Sequence, residues 1–80
     1  MEENQILDEV TTIFRDELEN DRINLTRETT AKDIVEWDSL TNIRLVVAIE
    51  KHFKIRFTSQ EIQGWKNVGE MVGSIMAKRT

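Results

Sequence analysis

The chain has no cysteine and no proline, and only 3 glycines among its 80 residues. Without cysteine there is neither a disulfide framework nor a thiolate metal site, so any thiol chemistry has to arrive on an added group. A single histidine, His52, excludes sites built from several histidines. No apolar run approaches the roughly 20 residues needed to cross a bilayer. The opening "MEENQILDEV" is acidic and lacks the basic flank of a secretory signal. A soluble, cytoplasmic chain with no membrane span is therefore expected. The formal net charge of −4 argues against a general nucleic-acid binder, which needs a cationic surface. Scarce glycine, absent proline and weak strand-like alternation favour an all-α domain spanning 1–80. At this length the core is small.

What is present has helical period. Ile6, Val10, Ile13 and Phe14 form one apolar stripe, widened by Leu7 and Leu18, and predict a helix near 4–18. The polar stretch "NDRINLTRETTAKDIVEW" follows. It is a long connection for a small domain, where loops usually run about 4–6 residues. Its isolated apolar residues (Ile23, Leu25, Ile34, Val35, Trp37) predict a loop pinned to the bundle. A second helix is expected near 39–53, with Asp38 or Ser39 as its N-cap. Its apolar residues, Leu40, Ile43, Leu45, Val46, Val47 and Ile49, cover more than one face and suggest a central helix. "TSQE" reads as a capping box opening a short third helix near 59–63, with Ile62 and Trp65 as its contacts. Asn67, with Glu70 three residues on, opens a fourth near 67–78, and Lys78 and Arg79 suit its C-terminus. Gly69 and Gly73 each cost this last helix roughly 1 kcal/mol relative to alanine. Close helix approach, or room for a side chain or an acyl chain, would offset that.

Ser39 stands directly after Asp38 at the mouth of the most apolar helix. As a hydrolytic nucleophile it would need a base within hydrogen-bond reach. The lone histidine lies about 20 Å along the same helix at 1.5 Å per residue, and no GxSxG elbow is present. Two readings remain: a helix-capping pair, or a modification site where the positive end of the helix favours a phosphate. In the second, Asp38 repels the phosphate and is better explained as a group used by an attaching enzyme, for example through a metal ion.

"WDSLTNIRLVVAIEKHFKI" resembles the acyl carrier protein family, in which Asp-Ser-Leu opens the second helix ahead of an apolar run, a Glu and a Phe. Asp38, Ser39, Leu40, Glu50 and Phe53 match in order and spacing. The resemblance covers nearly the whole chain and implies a four-helix bundle with a short third helix and a long first loop. It implies a non-catalytic protein whose Ser39 receives 4′-phosphopantetheine from coenzyme A. A phosphopantetheinyl transferase would attach it with Mg²⁺, and Asp38 would assist. The arm's thiol would carry acyl groups as thioesters to acyl-loading and acyl-transferring enzymes, with the chain itself a monomer. The "EWDSL" context leans towards acyl rather than peptidyl carriage. The resemblance places partner enzymes on the helix face of Leu40, Ile43, Arg44, Val47 and Lys51, although Val47 reads more naturally as core.

One departure stands out. Carriers of fatty-acid synthesis have an acidic second helix, whereas Ser39 to Phe57 here holds Arg44, Lys51, Lys54 and Arg56 against Glu50 alone. Either these cations are ordinary solvated surface, or the chain is a specialised carrier for lipid, polysaccharide-linked or polyketide-like assembly. An unmodified helical interaction module, or a DNA-binding helical domain using Arg44, Lys51 and Lys54, are the readings from other classes. Trp37 is expected to pack against the loop and His52 to lie on the surface.

Overall fold

The computed structural model describes residues 2–79. Its helices are α1 (Glu3–Glu17), α2 (Ser39–Phe53), α3 (Ser59–Gly64) and α4 (Val68–Arg79), each boundary within one residue of expectation. The long first loop holds a single 3-10 turn, Ala31–Asp33. The periodic stripes meet as their spacing dictates. α1 packs on α2 and α4, burying Ile6, Val10 and Phe14 against Leu45, Ile49, Phe53, Val68, Met71 and Ile75. Among the described residues no helix is long and apolar enough to cross a membrane.

α2 is not apolar all round in use. Leu45, Val46, Ile49 and Phe53 face the core, while Leu40, Ile43 and Val47 are 74%, 63% and 42% exposed. Val47 is thus surface, not core. At about 100° per residue it lies roughly 200° round the helix from both Leu45 and Ile49. Lys54 ends the helix in the left-handed conformation (φ 58, ψ 49), which glycine adopts at a cost roughly 1 kcal/mol lower.

The first loop is pinned at both ends. Ile23, Leu25 and Ile34 are buried as expected, but Val35 is 94% exposed and pins nothing. Ile34 has extended backbone (φ −124, ψ 112), so the side chain that follows an inward one points outward. Arg15 donates to the Ile23 carbonyl at 2.7 Å, tying the loop's start to α1. Near its middle the loop feeds the start of α4: Val68 N–H donates to the Thr29 carbonyl and Gly69 N–H to the Arg27 carbonyl, both at 2.8 Å. Helix starts carry amides with no intrahelical partner, and here loop carbonyls satisfy them. Asn67 caps by accepting from Glu70 N–H at 2.9 Å. Glu70 reaches back to Lys66 N–H at 3.1 Å, so the box is one residue longer than the sequence suggests.

Thr58 and Glu61 form the expected box on α3, with Thr58 N–H donating to Glu61 Oε1 at 2.8 Å and Glu61 N–H to Thr58 Oγ1 at 3.1 Å. α3 buries no side chain fully. Its flank is held by Trp65, edge-on to Phe57 at 4.8 Å, whose Nε1 donates to Ser74 Oγ at 2.8 Å, and by Lys78–Glu61 at 3.0 Å. Arg79 donates to the Phe53 carbonyl at 3.2 Å, binding the end of α4 to that of α2.

The two α4 glycines differ. A Cβ at Gly69 would stand 2.9 Å from the Arg27 carbonyl oxygen, while one at Gly73 meets nothing within 4 Å. Gly69 therefore admits the loop backbone rather than another helix or cargo, and Gly73 serves no close approach. Gly69→Ala should destabilise the protein by about 1–3 kcal/mol through overpacking. Gly73→Ala should stabilise it by up to about 1 kcal/mol through helix propensity. Urea unfolding of the two variants checks the opposite signs.

Candidate functional site

The α2 N-terminus is built by Asp38. Its Oδ1 accepts from Leu40 N–H at 3.0 Å and Thr41 N–H at 2.9 Å. Thr41 reciprocates: its Oγ1 accepts from Asp38 N–H at 2.8 Å and donates to the Glu36 carbonyl at 2.7 Å. Asp38, not Ser39, is the cap, and Thr41 occupies the box position usually given to Glu or Gln. Hydrogen bonding from Thr41 N–H above all, with Leu40 N–H adding, holds the Asp38 carboxyl below its ordinary pKa against a smaller opposing effect of desolvation.

Ser39 is the first helical residue and is exposed. Its hydroxyl makes no hydrogen bond among the described residues. Because Asp38 already takes the amides of Leu40 and Thr41, a phosphate on Ser39 would not find these two donors free, contrary to the simplest helix-terminus reading. Trp37 packs, as expected: its ring meets Phe14 edge-on at 4.9 Å, and Nε1 donates to Asn42 Oδ1 at 3.0 Å. Loop, cap and helix are thereby locked around one free hydroxyl.

An open groove of about 280 Å³ begins at Ser39. Trp37, Asp38 and Ser39 line one side, and Ile62, Trp65 and Lys66 line the other. The sequence carries no signal for this pairing, because the α3–α4 junction reaches Ser39 only through the tertiary fold. The expected partner face is brought together. Ile43, Arg44, Val47 and Lys51 share a shallow depression with Glu17, and Leu40 lies near Ser39 on the exposed face of α2. Arg44 is not free, since its Nε lies 3.7 Å from Glu17 Oε1. His52 is on the surface, as expected, but its Nε2 pairs with Glu9 Oε1 at 2.6 Å. Among the described residues no cluster of three His, Asp or Glu side chains is arranged to hold a metal ion.

The family model described as the phosphopantetheine attachment site matches residues 8–75. The chain belongs to the acyl carrier protein family. Acyl carrier proteins from three strains of Clostridium perfringens, SM101, ATCC 13124 and 13, are each 28% identical to it over 67 residues, covering 84% of this chain and 88% of theirs. A solution structure of the holo acyl carrier protein from Geobacter metallireducens superposes with a TM-score of 0.86 at 46% identity, covering 91% of this chain and 84% of that one. The expected all-α fold, with four helices and a short third, is that of the family. Its members carry phosphopantetheine and are non-catalytic. An exposed, unengaged hydroxyl at the edge of a groove fits such an arm, whose terminal thiol supplies the thioester chemistry that the cysteine-free chain lacks.

The cap geometry separates the two residues of the motif. Ser39→Ala should change stability by less than about 0.5 kcal/mol, as for an unengaged surface side chain, whereas Asp38→Ala should cost clearly more by removing the cap. A carboxyl whose pKa is lowered on folding stabilises above its unfolded value, about 3.9 for Asp, and loses that contribution as pH falls through the folded value. Urea unfolding at pH 7 and in the acid range below 3.9 should show part of the acid-induced loss missing in Asp38→Ala and fully present in Ser39→Ala.

Proposed function

We propose that Ser39 bears the 4′-phosphopantetheine arm and that Asp38 assists its transfer from coenzyme A by a Mg²⁺-dependent phosphopantetheinyl transferase. The observation that carries this reading is the Ser39 hydroxyl: exposed, unpartnered, fixed by the Asp38 cap and opening onto the groove. Ser74 is engaged by Trp65. Ser59 follows Thr58 rather than an acid and opens a six-residue helix. The arm presents acyl groups to loading and transferring enzymes, which dock on Leu40, Ile43, Arg44, Val47 and Lys51. The cation-rich α2 supports a specialised carrier, serving lipid, polysaccharide-linked or polyketide-like assembly in the cytoplasm, over the carrier of general fatty-acid synthesis.

Incubation with coenzyme A, Mg²⁺ and a broad-specificity transferase should add one phosphopantetheine by intact mass, and Ser39→Ala should abolish the addition. Absence of any addition would favour an unmodified interaction module of the same fold. Addition that persists in Ser39→Ala would move the site to Ser59 or Ser74.

A further inference from the structure

The large apolar side chains exposed among the described residues all fall between residues 35 and 47: Val35 ahead of Ser39, and Leu40, Ile43 and Val47 behind it. The other large apolar side chains of the loop and the bundle are buried or half-buried. Unpaired positive charge gathers at the opposite end of α2. Lys51, Lys54 and Arg56 are exposed and have no ion pair among the described residues. The one acid of this stretch, Glu50, lines the same depression as these cations and its Oε2 accepts from Phe57 N–H at 2.8 Å, which leaves three cations there against one carboxylate. Of the acids of α1, Glu17 borders the apolar end of this face, where it pairs with Arg44, and Glu9 is held by His52; neither pairs with Lys51, Lys54 or Arg56. Val47 and Lys51 border two adjoining depressions, one shared with Ile43 and Arg44 and one with Lys54 and Arg56, so the apolar and cationic ends form one continuous surface. Lys54 holds its charge in a backbone conformation that favours glycine.

Building on the carrier reading above, we propose that Val35 and the outward face of α2 form a docking surface for an acidic protein partner. The partner's apolar recess, beside the entrance that admits the arm, takes Val35, Leu40 and Ile43. Its carboxylates meet Lys51, Lys54 and Arg56. The rise of 1.5 Å per residue sets Lys51 about 18 Å along the helix from Ser39, so those carboxylates lie about that far from the entrance. Short-range apolar contact sits where the arm must be aimed, and long-range charge sits where it orients the approach. An anionic membrane is the poorer fit: interfacial helices set cations beside their apolar face along the whole length, whereas here the two are separated along the axis. Val35 is an anchor that α2 alone does not supply.

The test uses the holo protein and a malonyl-loading acyltransferase of fatty-acid synthesis that reads acidic carriers through a basic rim. A second form of that enzyme has the rim's Lys and Arg reversed to Glu. Affinity is followed by NMR titration and loading by kcat/KM. The reversed enzyme should bind on the order of tenfold more tightly at low salt, and the difference should shrink at high salt as the Debye length falls to about 3 Å at 1 M. The triple variant Lys51→Glu, Lys54→Glu, Arg56→Glu should reverse the preference. Val35→Ser and Leu40→Ser should weaken binding to both enzymes alike, with little salt dependence. All these side chains are exposed, and thermal melts would verify that the variants fold. Equal or undetectable binding to both enzymes overturns the proposal. So does tighter binding to phosphatidylglycerol vesicles than to the reversed enzyme. Failure of the carrier reading is distinct: no arm by intact mass and no loading, while the titration still reports docking.

Discussion

The first amides of a long helix have no partner within the helix, and a partner must be found outside it. Asp38 meets that demand for α2 with one oxygen shared between the Leu40 and Thr41 amides. Much of the site follows. The cap fixes the entry angle of the chain, Thr41 ties it back to Glu36, and Trp37 braces the same corner through Asn42 and Phe14. Because the residue before Ser39 does the capping, the Ser39 hydroxyl is released from structural duty. A capping serine would hide its oxygen among backbone amides. An Asp in front of it produces the same helix and leaves the hydroxyl free and rigidly placed.

The same demand at α4 explains the long loop. There the donors are met by main-chain carbonyls of Thr29 and Arg27, the second of which can approach so closely only because residue 69 has no Cβ. The loop is therefore a structural member, held by Arg15 at its start and by α4 near its middle. Its fixed course places Ala31 and Trp37 at the groove beside Ser39. Two helix starts far apart in sequence are thus joined through one irregular segment.

Helix existence, the Thr58–Glu61 box and the placement of Asp38 and Ser39 were legible in the sequence, because each rests on local spacing. What was not legible depends on which way a side chain turns in the assembled bundle. Val47 belongs to an apolar run, and only the choice of Leu45 and Ile49 as the buried pair sends it outward. Val35 sits beside the buried Ile34, and extended backbone alone decides that one is inside and the other out. Gly69 and Gly73 look equivalent at helical spacing, yet only the first meets a neighbour, and that neighbour is a loop carbonyl. The pairing of His52 with Glu9 and of Arg44 with Glu17 joins α1 to α2 over separations that no motif spans.

A carrier has to leave each enzyme as readily as it finds it, and this limits what its surface can be. Burying a Val, Leu or Ile side chain is worth about 1.5–3 kcal/mol at most, and association itself costs at least about 4 kcal/mol. Four exposed apolar side chains can hold a partner only briefly on those terms. Strengthening the apolar patch would slow release, since affinity among related complexes is set mainly by the off-rate. Solvent-exposed charge acts on the other limb: it raises the rate of correctly oriented encounter and rejects like-charged surfaces while adding little to the lifetime of the complex. Placing a small apolar patch beside Ser39 and unpaired cations at the far end of α2 therefore favours fast, selective and short-lived docking. On the docking surface proposed above, the sign of those cations, rather than the fold shared with the family, would set which enzymes this chain can visit.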